Sequence, residues 1–342
     1  MKAREVGIAI GSLEPGPLDA ITDVDGVRVG HTTLSEGDDI RTGVTVVLPP
    51  EGPLFAAPFR LNGNGEMTGL EWVRESGLLT TPIGLTNTHS VGVVRDALVR
   101  VAVARDEAPA WSLPVVAETW DGLLNDINGF HVRGEHVFAA VEGASAGAVA
   151  EGNVGAGTGM ICHGFKGGIG TASRVTEDGH TVGVLVQANH GRRPRLAVDG
   201  VPVGAELGAE RIPLPGGPDA AGSIIVLVAT DAPLLPHQCE RLARRAALGI
   251  GRTGGVGEDS SGDLLLAFAT GNRGLGGQEP MTVSLLPNPR MNALFVAAVE
   301  ATEEAIVNAL LAAETMTGRS GHTAHALDPD ALLEVMRRFG RL

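Results

Sequence analysis

Ser223 is the residue of this chain best placed to act on its own backbone. It follows Gly222 and heads the apolar run Ile224–Thr230, after a small-residue approach that begins at Pro218. Glycine adopts backbone angles that other residues resist, so strain can be held in the Gly222–Ser223 peptide. Attack of the serine hydroxyl on the preceding carbonyl would divide the chain and leave Ser223 with a free α-amine. That amine, with a pKa of roughly 7.7–8.0 before perturbation, is a base covalently attached to the nucleophile it serves. The same residues also suit a plain strand that starts after a Gly/Pro loop.

A series of segments resembles the DmpA-like aminopeptidases, the group of L-aminopeptidase/D-amino-acid amidase-esterases and β-peptidyl aminopeptidases. They are Thr86–Asp96, Ala117–Gly122 with Leu124–Ile127, Gly155–Met160, Lys166–Arg174, Val186–Gly191, Gly222–Pro233 and Ser261–Asp263, in that order. The likeness runs from about Asp23 to Thr317. It implies an α+β fold, an αββα sandwich with two packed sheets between helical layers. It also implies self-cleavage between Gly222 and Ser223, giving a larger subunit, 1–222, and a smaller one, 223–342, that together form one structural domain.

The resemblance assigns roles residue by residue. Ser223 is the nucleophile of an N-terminal serine hydrolase. Ser261 falls on the family's second serine and Asp263 on its acidic partner, where many relatives carry Glu; a hydroxyl relay anchored on a carboxylate can orient the Ser223 amine and stabilise its ammonium form. Asn189 is the donor to the developing oxyanion, a contact worth roughly 3–4 kcal/mol in favourable sites. Trp120 stands where some relatives place a tyrosine, and an indole N–H donates one hydrogen bond but neither accepts nor titrates. Glu118 and Asp121 are candidates for holding the free ammonium of a peptide, amino-acid amide or ester substrate. No cofactor is implied, and processed protomers are expected to form a homo-oligomer, a tetramer of heterodimers. Alternatives within the superfamily are an acyltransferase and an aminohexanoate-oligomer hydrolase, whose members more often cut before threonine. An unprocessed oligomer that binds small amines is the alternative from another class.

The elements that must position these groups are short and mixed. Strands are expected at Val27–Val29, Val44–Leu48, Thr181–Gln187 and Asp263–Ala269, besides the one after Ser223. Helices are expected at Leu70–Ser76, from Asp96 to Ala104 with a break near Pro109 and Pro114, and from Pro236 to Leu248, stopped by Gly249. The longest spans Met291 to Met316, with Leu294, Ala298, Ile306 and Leu310 on one face and Glu300, Glu303 and Glu304 opposite. Without strict βαβ alternation the pattern favours layered α+β over a doubly wound sheet. Arg192–Pro218, with five prolines and a basic cluster, reads as an exposed connector.

Composition narrows the partners. The chain has 342 residues, 43% hydrophobic, with 49 Gly and 20 Pro that indicate many tight turns. A net charge of −14, eight Phe, three Trp and no Tyr leave little for binding nucleic acid. No run approaches 18 apolar residues, and no secretory apolar segment is evident, so neither a membrane span nor export is expected. Cys162 and Cys239 form no disulfide framework, which suits the cytoplasm. Gly155–Met160 lacks the spacing of a dinucleotide fingerprint, and His131–His136 has one residue too many for an inverted zincin motif. Cys162-His163 and His322–His325 are isolated pairs lacking further ligands, so no metal is expected. His89 reads as a structural histidine.

Overall fold

Every residue of the strand after Ser223 is buried, and its side chains enter two different cores. Ile224, Val226 and Val228 join a core shared with helices, whereas Ile225, Leu227 and Ala229 join one shared with a second sheet. A strand that is apolar on both faces must lie inside a stack of layers. The computed structural model, which describes residues 1–105, 111–216 and 222–342, has that arrangement.

The smaller sheet contains β1 (Arg28–Glu36), β2 (Ile40–Leu48), β5 (Ile83–Asn87) and β6 (Val115–Thr119) in the order β1-β2-β5-β6. The larger contains β3 (Leu54–Gly63), β4 (Leu78–Leu79), β9 (Gly168–Val175), β10 (Thr181–Ala188), β11 (Ile224–Thr230) and β12 (Gly262–Ala269). Their order is β4-β3-β12-β11-β10-β9, antiparallel except for the parallel pair β11-β12. Between β6 and β9 a short hairpin, β7 (Ile161–Cys162) and β8 (Phe165–Lys166), forms its own two-stranded unit.

Three cores separate four layers. Helices α2 (Val91–Ala104) and α3 (Gly134–Glu142) cover the smaller sheet through Val94, Leu98 and Val137 against Val44, Val46 and Val116. Val47, Leu85 and Ala117 of that sheet meet Leu185, Leu227 and Leu266 of the larger one. Helices α5 (Pro236–Arg252) and α6 (Met291–Leu311) close the far face with Leu242, Ala246, Ala301 and Ala305. The fold is therefore an αββα sandwich. Among the described residues, short α1 (Leu70–Ser76) and α4 (Val203–Glu206) and the C-terminal α7 (Pro329–Arg338) complete the α-helices.

Several expected boundaries move. Helix α5 runs past Gly249 to Arg252, because Gly249 faces α6 so closely that a Cβ there would stand 2.6 Å from Thr302 Cβ. Helix α6 ends at Leu311, not Met316: both backbone groups of Glu314 bond to the Asn153 amide, and Met316–Thr317 pairs as a strand with Thr323–Ala324. Its glutamates do not face water either. Glu300, Glu303 and Glu304 are buried, the first and last beside Arg174 and the second beside Arg252. Part of the Arg192–Pro218 connector is also buried, through Arg193, Leu196, Val198, Val203 and Leu207. The expected break near Pro109 and the approach from Pro218 to Ala221 lie outside the described residues. Among the described residues no helix is long and apolar enough to cross a membrane.

Candidate active site

The site forms where three strand ends meet. Antiparallel pairing sets Ala188 against Ile224, and parallel pairing sets Asp263 against Ile224. Ser223 therefore lies between the end of β10 and the start of β12. The N–H of Gly262 donates to Ser223 Oγ at 2.9 Å, and the N–H of Asn189 donates to the Ser223 carbonyl at 3.1 Å.

Ser261 Oγ lies 2.5 Å from the Gly222 carbonyl oxygen and 2.6 Å from Asp263 Oδ1. A hydroxyl has one proton to give and lone pairs to receive another. Burial pushes the Asp263 carboxyl above its ordinary value, against the Ser261 hydroxyl and the Ile224 N–H, which favour the ionised form. The single Ser261 proton can serve either acceptor, the Asp263 carboxylate or the Gly222 carbonyl. The Asn62 side chain of β3 holds the turn by donating to the carbonyls of Glu258 (2.5 Å) and Ser261 (2.7 Å). A register shift between Asp263 and Leu264 re-aims the start of β12.

Asn189 is held on both ends. Its Oδ1 accepts from the Ile161 N–H at 2.7 Å, which turns Nδ2 toward the Trp120 carbonyl at 2.9 Å. Gly222 packs against this residue: a Cβ at position 222 would stand 1.7 Å from the Asn189 carbonyl oxygen and 2.6 Å from Nδ2. Only glycine fits that approach. Trp120 touches Asn189 through its backbone, while its half-exposed indole forms part of a cavity wall.

That cavity, about 430 Å³, is lined by Trp120, Ile161, Asn189, Leu214, Pro215 and Gly222 among others. Two arginines on its wall are already engaged. Arg193 lies over the Phe165 ring at 3.4 Å and donates to the carbonyls of His163, Leu207 and Ile212, and Arg192 pairs with Glu258 at 2.7 Å. Glu118 accepts from the Glu66 N–H at 3.0 Å and from the Thr88 hydroxyl. It lies near the start of β12, whose Gly262 meets the nucleophile: a Cβ on Gly65 would lie 3.2 Å from Glu118 Oε1 and 3.1 Å from Gly262 Cα. Burial raises its pKa. Asp121 lies deeper, fixed by the Asn87 amide at 2.9 Å, with Oδ1 unpartnered and its pKa raised by burial to about 6.

Sequence reasoning passed over three groups here. The backbone N–H groups of Gly262 and Ile161 leave no mark in residue type. His190 does: it adjoins Asn189 in a segment already singled out, and the structure brings it to Cys162 and His163, so that pair is not isolated.

Residues 19–324 match peptidase family S58. The chain is 48% identical over 369 residues to a β-peptidyl aminopeptidase BapA of Sphingosinicella microcystinivorans, covering 100% of this chain and 93% of that one. Among solved structures, a Burkholderia sp. β-aminopeptidase superposes with a TM-score of 0.94 at 55% identity, covering 99% of each chain. The L-aminopeptidase D-Ala-esterase/amidase of Ochrobactrum anthropi, a serine aminopeptidase with a variant Ntn hydrolase fold, gives a TM-score of 0.91 at 43% identity. It covers 100% of this chain and 99% of that one. The match and the shared fold agree with the strand-end serine site: the chain belongs to peptidase family S58 and is a hydrolase of peptide bonds.

Proposed function

We propose that the protein is a self-processing aminopeptidase that acts through Ser223 as a new N-terminal residue. The observation that carries this reading is the contact between Ser261 Oγ and the Gly222 carbonyl, 2.5 Å, with Asp263 behind it at 2.6 Å. In processing, Ser223 Oγ attacks the Gly222 carbonyl carbon while Ser261 donates to its oxygen. The C–N bond breaks, the nitrogen takes the Oγ proton, and an ester joins Gly222 to Ser223. Water hydrolyses that ester, leaving a carboxylate on 1–222 and a free amine and hydroxyl at the head of 223–342. The two subunits stay together, since β11 and β12 of the smaller one lie between β3 and β10 of the larger.

Turnover repeats the chemistry on a substrate. The Ser223 amine takes the Oγ proton as the hydroxyl attacks the carbonyl of the substrate's N-terminal residue. Asn189 Nδ2 donates to the oxyanion, exchanging its bond to the Trp120 carbonyl. The ammonium then gives its proton to the leaving amine, and a water, deprotonated by the same amine, releases the acyl group. Ser261 and Asp263 orient the amine. No cofactor is needed for these steps. Glu118 receives the substrate ammonium, and Asp121 supports that wall through Asn87. Trp120 lines the cavity, and its backbone carbonyl holds Asn189 Nδ2 before the substrate binds; no tyrosine hydroxyl takes part.

The substrate proposed carries a β-amino N-terminal residue, on the likeness to the Sphingosinicella and Burkholderia β-aminopeptidases. Processed protomers assemble into a homo-oligomer, a tetramer of heterodimers. A reducing, cytoplasmic setting agrees with the two buried thiols, Cys162 and Cys239.

Intact-mass analysis of freshly purified protein tests the reading. Wild type is expected as two chains, the smaller beginning at Ser223, and Ser223→Ala as one. A wild-type chain that stays whole and still hydrolyses peptides would overturn it.

A further inference from the structure

A second cluster lies beside the candidate active site and takes no part in the chemistry proposed for it. Cys162 and His163 come from the β7-β8 hairpin and His190 from the residue after Asn189. One ligand atom from each lies within 4.8 Å of the other two. Cys162 Sγ is 3.7 Å from His190 Nδ1, and the two imidazoles meet edge to face with centroids 5.0 Å apart. All three side chains are buried, and Nε2 of both histidines has no hydrogen-bond partner. A buried polar atom left in that state calls for an occupant. His163 Nδ1 lies 3.2 Å from the Arg192 carbonyl. A carbonyl on one ring nitrogen fixes the tautomer and leaves the lone pair on the other free to bind a metal.

We infer that Cys162, His163 and His190 bind one soft monovalent cation, Cu⁺, in a three-coordinate site. Donor type and charge select it. A thiolate and imidazoles suit Cu⁺ or Zn²⁺, but a structural zinc takes four ligands and this cluster offers three, none a carboxylate. One thiolate, two neutral imidazoles and a monovalent ion sum to zero charge. A divalent ion would leave a positive charge buried near Lys166, which is fully buried in the same hairpin. On binding, the Cys162 S–H proton leaves to solvent and a Sγ–Cu bond forms, with no change of oxidation state. The ion has a short way in. Gly164 and Gly191 line the active-site cavity, and a Cβ on Gly191 would stand 2.3 Å from the His163 ring, so the imidazole lies directly under the floor.

The test is metal transfer to the whole protein, independent of peptidase activity. Reduced protein is titrated without oxygen against Cu⁺ held by a chromophoric chelator. Wild type and Cys239→Ala are expected to take one equivalent per protomer, and Cys162→Ala to lose at least tenfold in affinity. X-ray absorption of loaded wild type is expected to show one sulfur and two nitrogens around copper, which tests the site even if Cys162→Ala misfolds. No transfer to wild type, transfer unchanged in Cys162→Ala, a copper shell without sulfur, or stoichiometric uptake of Zn²⁺ but not Cu⁺ would each overturn the inference.

Discussion

The two ends of the larger sheet both bury polar and charged groups, and they treat them in opposite ways. At the end where β9 finishes and β10 begins, Arg174 is fully buried and fully engaged. It meets Glu300 at 3.3 Å, Glu304, and the carbonyls of Ser173 and Ile10 at 2.7 Å each. Glu300 in turn accepts from the N–H groups of Ser12 and Leu13. At the other end, what meets Asp263 is a hydroxyl and a backbone N–H, Ser261 has one proton for two acceptors, and Asp121 Oδ1 and two histidine nitrogens have no partner. Arg174, paired on every side, ties the N-terminal segment, sheet and α6 together. Buried groups left short of partners are free to exchange them during a reaction.

Changes at each end should separate these roles. The largest effect is expected for Arg174→Met, which strands Glu300 without a cation and leaves Glu304 with Arg4 alone. Denaturant unfolding should register a loss of about 3–5 kcal/mol, with the activity of the molecules that remain folded unchanged. Asn189→Ala should do the reverse: kcat/KM falls by about 100- to 1,000-fold, while the unfolding midpoint drops only slightly. Equal losses of stability and activity in both variants would remove the distinction.

Asp121 connects the two cases through pH. Its folded pKa, raised by burial from 3.8 to about 6, leaves folded and unfolded chains equally protonated at low pH. As pH rises through 3.8 toward 6, the unfolded chain ionises while the folded one resists, so this residue's stabilising effect is lost across that window. Asp121→Asn removes the titration, and its stability relative to wild type should rise by about 2–3 kcal/mol between pH 3.5 and 7. A pH-independent difference would mean that Asp121 titrates normally. The smallest change expected is for Ser261→Ala. Removing one hydrogen bond from the Gly222 carbonyl, worth about 1.5–3 kcal/mol where charge develops, should slow chain cleavage by about 10- to 100-fold on time-resolved gels without abolishing it.

The contrast also explains what could be read without coordinates. The Gly222-Ser223 head of an apolar strand is visible because glycine, hydroxyl and β-branched residues are chain neighbours. The layering followed from the ordered family segments, and the absence of strict βαβ alternation agreed with it. The α6 glutamates misled for the opposite reason. Helical periodicity sorts charged residues to the surface, and their partner Arg174 is 126 positions from Glu300. Likewise, Asn189 is oriented by the N–H of Ile161 and the carbonyl of Trp120, groups that every residue type possesses. His190 meets Cys162 only because β10 ends beside the β7-β8 hairpin.

The central claim is that Ser223 carries the acyl group during turnover. Processed enzyme mixed with a β-amino-acid nitrophenyl ester, quenched in acid within the first turnovers and weighed, tests it directly. The acyl mass is expected on the 223–342 chain, mapped to Ser223 and absent after Ser223→Ala. An adduct on another residue, or steady turnover with no covalent species even under fast quench and unaffected by Ser223→Ala, would contradict it.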